Sequence, residues 1–117
     1  MASTKYETGT KVRSEVMGAQ YVAKSVQDAD DFMRPILNLT TEYCWGEVWS
    51  SDDLPRKTRS MLNLAMISVL NRPHELKLHV RGALNNGVTR EEIREVFLQA
   101  AIYCGVPAAI DSFRNAR

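Results

Sequence analysis

His79 lies on the apolar stripe of a short helix that the sequence predicts over 74–87. The other members of that stripe recur at helical spacing: Leu76, Val80, Ala83 and Leu84. An imidazole has a pKa close to neutral pH, so a modest change in its environment prepares it to donate or exchange a proton. A core histidine that only hydrogen-bonds a backbone carbonyl is the alternative. The stripe by itself leaves both interpretations open.

Glu47 is the second candidate for chemistry, because it continues another apolar stripe in steps of three or four residues. That stripe contains Phe32, Ile36, Leu39 and Tyr43. A carboxylate on it would be partly buried and would need a partner or a raised pKa. A solvated helix end is the alternative, since Glu is seldom fully buried. Pairing between Glu47 and His79 would explain both positions, and we state it as a hypothesis.

Arg56, Arg59 and Arg81 are the candidate cations, because a planar guanidinium suits a carboxylate. Most arginines on amphipathic helices are solvated or form surface pairs, which is the alternative for each of the three. Tyr43 and Trp45 are candidates to wall an apolar pocket, although aromatic residues at helical spacing are more often core or interface residues. No metal site is expected from the spacing of possible ligands.

The composition is that of an ordinary globular protein. The 117 residues are 44% hydrophobic and 25% charged, and the net charge of +1 gives no indication of nucleic-acid or membrane-surface binding. No apolar run approaches the ~20 residues of a membrane span. We expect one domain over residues 1–117 and a cytoplasmic location, since the polar N-terminal stretch has no signal core. Cys44 and Cys104 are then free thiols rather than a disulfide.

The pattern predicts an all-α protein of about six helices, because no run alternates apolar and polar residues. The predicted segments cover about 6–17, 30–49, 56–71 and 73–87, then one after the Thr89–Glu92 capping box and one from Pro107. The segment 56–71 is apolar around most of its circumference. Such a helix is central in its fold or is shared with a subunit interface, so we expect a homo-oligomer.

Four stretches together resemble the gamma-carboxymuconolactone decarboxylase family. They are YETGTKVRSEVMG (6–18), YCWGEVW (43–49), RKTRSMLNLAM (56–66) and LKLHVRGALNNGVTREEIREVFLQAAIYCGVPAA (76–109). The resemblance covers nearly the whole chain. It implies an all-helical, AhpD-like fold that assembles as a homotrimer or homohexamer. It also implies decarboxylation of gamma-carboxymuconolactone to beta-ketoadipate enol-lactone in protocatechuate catabolism.

Thiol-dependent redox chemistry of the AhpD-like relatives is not expected here. Those relatives carry a CxxCxxxH pattern whose histidine matches His79, but the cysteine positions fall on Arg72 and Glu75. Peroxidase chemistry needs a thiolate with a resolving partner. Within the decarboxylase branch, Cys44 replaces a frequent alanine and Pro35 interrupts a segment that is usually plain helix. These departures are also compatible with a family member that acts on a different substrate.

The implied reaction releases one of the substrate's two carboxylates as CO2. The remaining electrons delocalise through the ring double bond onto the lactone carbonyl oxygen, so no electron-sink cofactor is expected. The protein would supply a cradle for the retained acetate, a donor to the enolate oxygen and an acid for the ring carbon. The resemblance favours His79 as donor or acid, with Glu47 second. A non-catalytic helical oligomer that binds a small carboxylic acid is the alternative.

Overall fold

The computed structural model describes residues 3–117, and every regular element in that range is a helix. The elements are α1 (Thr4–Met17), α2 (Ala19–Asp28), α3 (Arg34–Leu39), a π-helix (Thr40–Val48), α4 (Arg56–Leu70), α5 (Pro73–Asn85), α6 (Arg90–Cys104) and α7 (Val106–Ala116). The all-α prediction is therefore confirmed. The helix absent from the prediction is α2, which follows α1 after a single residue, Gly18, at a φ of 101°. None of these helices is long and apolar enough to span a bilayer.

The helices group into two compact units, Met1–Leu54 (unit 1) and Pro55–Arg117 (unit 2). Unit 1 contains α1, α2, α3 and the π-helix. Unit 2 contains α4 to α7. The expected single domain over residues 1–117 stays a prediction.

Unit 1 is built on a close contact between the backbones of α1 and the π-helix. A Cβ atom placed on Gly9 would overlap the carbonyl oxygen of Thr41 and lie 3.0 Å from the backbone nitrogen of Gly46. A Cβ atom on Gly46 would in turn overlap the carbonyl oxygen of Lys5. Only glycine fits at either position, because any side chain would push the two helices apart.

The stripe of Phe32, Ile36, Leu39 and Tyr43 predicted for the segment 30–49 is wrong as a buried face. All four side chains are exposed, Phe32 by 89%. The segment changes from α3 to the wider π-helix, which closes with i to i+5 hydrogen bonds such as that from the Trp49 amide to the Cys44 carbonyl, 2.9 Å. The residues turned inward are instead four apart: Thr41, Trp45 and Trp49.

Unit 2 packs its four helices around one apolar cluster. Its buried members are Leu64, Leu76, Ala83, Val88, Ile93 and Phe97. The predicted stripe of α5 is confirmed at Leu76, Val80 and Ala83, but Leu84 is 53% exposed. Successive residues of a helix differ by about 100° in direction. On this basis Leu84 lies about 40° beyond the partly buried Val80, on the side away from Ala83, so it falls past the edge of the buried face.

The ends of the unit 2 helices follow the local sequence signals. Thr89 and Glu92 form the predicted capping box, in which the Thr89 hydroxyl accepts from the Glu92 amide (3.1 Å) and the Glu92 carboxylate accepts from the Thr89 amide (2.9 Å). Between helices, the buried hydroxyls of Ser68 and Ser112 hydrogen-bond at 2.5 Å. The capping box fixes where α6 begins, and the Ser68–Ser112 hydrogen bond joins α4 to α7 within unit 2.

Helix α4 carries more apolar surface than unit 2 buries. Four of its large apolar side chains are exposed: Leu62, Met66, Val69 and Leu70. Together with α6 they line an open groove of about 1270 Å³, which also includes Tyr103. Apolar patches of this size usually mark an interaction surface.

We expect Gly9→Ala to destabilise the protein. Alanine is a better helix former than glycine by about 0.5–1 kcal/mol, but the added methyl group must displace the backbone of the π-helix. Overpacking of this kind costs about 1–3 kcal/mol. Chemical denaturation should therefore show a lower free energy of unfolding for Gly9→Ala than for the parent chain.

Lys11→Ala is the matched control, because Lys11 is an exposed residue of the same helix. Its free energy of unfolding should stay near the parent value. Equal or higher stability of Gly9→Ala would show that the backbones of α1 and the π-helix are not in close contact.

Candidate functional site

His79 lies half-buried in α5 and forms no hydrogen bond with any other residue of 3–117. Burial lowers the pKa of its imidazole below the ordinary 6.5, and the nearby Glu75 carboxylate opposes that shift. The ring is therefore neutral at pH 7 and offers one N–H donor and one acceptor. A core histidine that satisfies a backbone carbonyl would show such a hydrogen bond, which is absent at His79.

The helix that carries His79 is fixed to the start of α4. The side-chain amide of Asn86, at the end of α5, donates to the Ser60 hydroxyl at 2.8 Å and to the Arg56 carbonyl at 3.5 Å. Leu76 and Ala83 anchor the apolar side of α5 in the unit 2 core. The helix that carries the imidazole is therefore held by the hydrogen bonds of Asn86 to α4 and by its apolar contacts in the core.

Basic residues crowd the first turn of α4. Arg56, Lys57 and Arg59 lie there, no acidic residue accompanies them, and the N-cap residue Pro55 offers no side-chain hydrogen bond. Cations are unfavourable at a helix N-terminus, where the backbone dipole is already positive. Lys57 is offset by Glu92 at 3.1 Å. Arg56 and Arg59 also have interaction partners within the described part of the chain.

The three predicted cations differ from one another in burial and in the helix that carries them. Arg56 and Arg59 are half-buried in the first turn of α4, one helical turn apart, whereas Arg81 is exposed on α5. All three belong to unit 2, as His79 does. The site role of each stays a prediction.

Glu47 lies in the π-helix with its side chain 55% exposed, and its carboxylate pairs with the Lys5 ammonium at 3.6 Å. This is the solvated environment that was the alternative to burial. The partner observed within unit 1 is Lys5. Pairing of Glu47 with His79, which belongs to unit 2, stays a hypothesis.

The two candidate aromatic residues have different surroundings. Trp45 is buried and stacks on Trp49, with ring centroids 4.8 Å apart, so it is a core residue of unit 1. Tyr43 is exposed, and the Lys5 ammonium lies 5.1 Å from its ring centroid. Of the two, Tyr43 is the side chain that a ligand could contact.

Both cysteines are free thiols, as predicted: Cys44 is half-buried and Cys104 is exposed. Burial raises the pKa of the Cys44 thiol, and the positive charge of Arg13 opposes that shift. The thiol is therefore protonated at neutral pH and is a poor nucleophile. Among the described residues, no three His, Cys, Asp or Glu side chains are placed to hold a metal ion.

Arg13 is a charged side chain that the sequence analysis did not identify. Its Nη1 atom is buried without a hydrogen-bond partner in the described part of the chain. Its Nη2 atom lies 3.5 Å from the Ser25 hydroxyl, and its guanidinium carbon lies 5.7 Å from the ring centroid of Tyr21. The available signal was its position in α1 between two buried residues, Val12 and Val16.

The sequence of the chain matches those of known proteins over most of its length. Residues 34–117 match the sequence profile described as the Carboxymuconolactone decarboxylase family. The chain is 41% identical to 4-carboxymuconolactone decarboxylase of Acinetobacter baylyi over 105 residues, which cover 90% of this chain and 78% of that protein. It is 48% identical to nitrosuccinic acid decarboxylase of Metarhizium robertsii over 107 residues, which cover 92% and 75% respectively. The chain therefore belongs to the carboxymuconolactone decarboxylase family.

Proposed function

We propose that this protein is a cofactor-independent decarboxylase of gamma-carboxymuconolactone, and that it yields beta-ketoadipate enol-lactone. The observation that carries the proposal is His79, a half-buried and neutral imidazole with no hydrogen-bond partner among residues 3–117. The names of two relatives that match most of this chain support it, since both are decarboxylases of small acids.

The chemical step breaks the bond between the ring carbon and the departing carboxylate. CO2 leaves, and the bonding electrons move through the ring double bond onto the lactone carbonyl oxygen. The neutral N–H of His79 donates a hydrogen bond to that developing oxyanion, and its partly desolvated setting strengthens the interaction. Addition of one proton to the ring carbon next to the lactone carbonyl then restores that carbonyl, leaves the double bond at the carbon that lost CO2, and gives the enol-lactone. The lowered pKa favours His79 as the donor rather than as the acid.

The remaining roles, substrate binding and proton transfer, are assigned to the charged and aromatic candidates of each unit. Arg56 and Arg59, at the first turn of α4, bind a carboxylate of the substrate, and Arg81 is a further candidate on α5. Glu47 is the second candidate for transfer of a proton to the ring carbon. Its carboxylate pairs with the Lys5 ammonium at 3.6 Å, so in this role it first takes up a proton from solvent and then passes it to the ring carbon. Tyr43 lies beside the same lysine and is a candidate contact for the substrate.

We further propose a homotrimer or homohexamer in the cytoplasm. The exposed apolar groove between α4 and α6 supports self-association, because a closed assembly would cover it. The residues that line the groove do not include His79. The two free thiols are typical of a reducing compartment.

The substrate is tested by incubating the purified chain with gamma-carboxymuconolactone, and separately with nitrosuccinate, while CO2 release is followed. Nitrosuccinate is included because one relative is named nitrosuccinic acid decarboxylase. We expect turnover of the lactone. Binding of both acids without CO2 release would favour the non-catalytic oligomer instead.

We expect His79→Ala to remain folded and to lose about 10²- to 10³-fold in kcat, which is the usual effect of removing one oxyanion donor. His79→Gln keeps an N–H donor but cannot exchange a proton near neutral pH. It should therefore recover part of the rate if His79 acts as the donor. Steady-state kinetics, with melting temperature and oligomer size recorded for each variant, measure both effects.

His74→Ala is the control for these kinetics, since His74 is an exposed residue of the same helix. Its kcat should match the parent. A folded His79→Ala chain with parent-like activity would show that the histidine is structural. A His79→Gln chain as inactive as His79→Ala would assign proton transfer to the imidazole rather than hydrogen bonding.

The lowered pKa of His79 also makes stability depend on pH. The unfolded chain protonates the imidazole near pH 6.5, whereas the folded chain does so only at lower pH. As the pH falls from 7.5 toward the folded pKa, the unfolded state binds more protons and this part of the stability is lost. The free energy of unfolding of the parent should therefore fall more steeply below pH 6.5 than that of His79→Gln. Parallel curves for the two chains would exclude the lowered pKa.

Light scattering at micromolar concentration should give the mass of a trimer or hexamer. Met66→Glu places a charge in the exposed groove and should shift the mass toward smaller species without unfolding the chain. Lys77→Glu introduces the same charge at an exposed position of α5 and should leave the assembly intact. A monomeric parent chain would remove the proposal of self-association.

A further inference from the structure

We propose that Arg13 of unit 1 binds the carboxylate that the substrate retains. The inference rests on the proposed decarboxylation for the identity of the ligand. It rests on the geometry of unit 1 for the site itself.

The guanidinium of Arg13 has hydrogen-bonding capacity that the protein does not use. Its Nη1 atom is buried, and no residue in the described part of the chain accepts from it. The Nη2 atom has one long contact, 3.5 Å to the Ser25 hydroxyl. No carboxylate among residues 3–117 forms an ion pair with Arg13. A buried donor without an acceptor is unfavourable, and a charged one more so.

The groups around Arg13 are polar or aromatic but carry no negative charge. The Tyr21 ring and the Ser25 hydroxyl, both half-buried, belong to α2. The Cys44 thiol of the π-helix stays protonated at neutral pH, because burial raises its pKa. The positive charge is therefore uncompensated on these sides. A carboxylate would supply both a negative charge and the two acceptor oxygens that match a guanidinium fork.

Tyr21 and Ser25 of α2 lie against the guanidinium, so a ligand that binds there requires these two side chains to move. Within unit 1, α2 packs mainly against α1, and the contact at Gly9 is made by the π-helix instead. The weak 3.5 Å contact to Ser25 is then exchanged for a shorter, charge-assisted hydrogen bond.

The retained carboxylate is the appropriate ligand, rather than the one that leaves. A cation bound to the departing carboxylate would stabilise the ground state more than the transition state, because that charge disappears as CO2 forms. A cation bound to the retained acetate keeps its ion pair throughout. Arg13 is thus expected to lower KM more than it raises kcat.

Calorimetric binding of a saturated analogue tests this assignment. The probe is 5-oxotetrahydrofuran-2-acetic acid, which has the retained acetate but no carboxylate to lose, and its methyl ester is the uncharged reference. Arg13→Gln should weaken binding of the acid by about 10- to 100-fold, as expected for a lost charge-assisted hydrogen bond, and should leave ester binding unchanged. Lys11→Gln removes a charge from an exposed position of the same helix and should bind both probes like the parent.

Arg13→Lys keeps the charge without the planar fork, so its binding of the acid should weaken less than that of Arg13→Gln, and its binding of the ester should not change. It replaces Arg13→Gln in the test if that variant does not fold. Equal acid binding by Arg13→Lys and parent, with Arg13→Gln folded and also unchanged, would overturn the proposal. So would an equal loss for acid and ester, which would mean that Arg13 only holds α2 in place. The binding result is separate from CO2 release, so an Arg13 effect in a chain that does not decarboxylate the lactone would reject the proposed reaction and keep the carboxylate site.

Discussion

The contact between the backbones of α1 and the π-helix determines which polar side chains of unit 1 can meet. Gly9 and Gly46 each leave room for a carbonyl oxygen of the other helix. Lys5 lies one turn before Gly9, and it reaches both Glu47 and the Tyr43 ring. Arg13 lies one turn after Gly9, close enough to Cys44 for its charge to act on the thiol. The two glycines thus allow the close approach of helices that brings together most of the candidate groups of unit 1.

In unit 2 the corresponding constraint is desolvation of an imidazole. Burial on α5 favours the neutral form of His79, and the single nearby carboxylate, Glu75, is too weak an opposing influence to restore its ordinary pKa. A hydrogen-bond donor that stays neutral at pH 7 is suited to an oxyanion that forms only in the transition state. The cationic first turn of α4 is suited instead to an anion present from the start. The two features separate catalysis from binding.

Sequence periodicity identified the elements whose burial follows an ordinary α-helical pattern. Leu76 and Ala83 are buried as the 3.6-residue period requires, and the Thr89–Glu92 capping box is a purely local signal. The period failed where the backbone departs from the α-helix. Tyr43 was assigned to a buried face by an α-helical period, but residues 40–48 form a π-helix whose buried residues are Thr41 and Trp45. Glu47 lies in the same π-helix and is solvated. Phe32 precedes α3 and is exposed there.

The site residues show a related limit of sequence analysis. The role of a polar side chain depends on whether a neighbouring residue satisfies its hydrogen bonds, and spacing does not show this. Spacing placed His79 on an apolar stripe, but only the structure shows that no hydrogen bond accounts for it there. Arg13 stands between Val12 and Val16 in a stretch that has the pattern of an ordinary amphipathic helix, and the sequence does not show that its Nη1 atom is buried or that Tyr21 and Ser25 of α2 lie beside its guanidinium. A decarboxylase of a dicarboxylic acid must hold one negative charge and release another. In the proposed reaction Arg13 holds the retained carboxylate, the neutral N–H of His79 stabilises the oxyanion, and the substrate's own ring accepts the electrons.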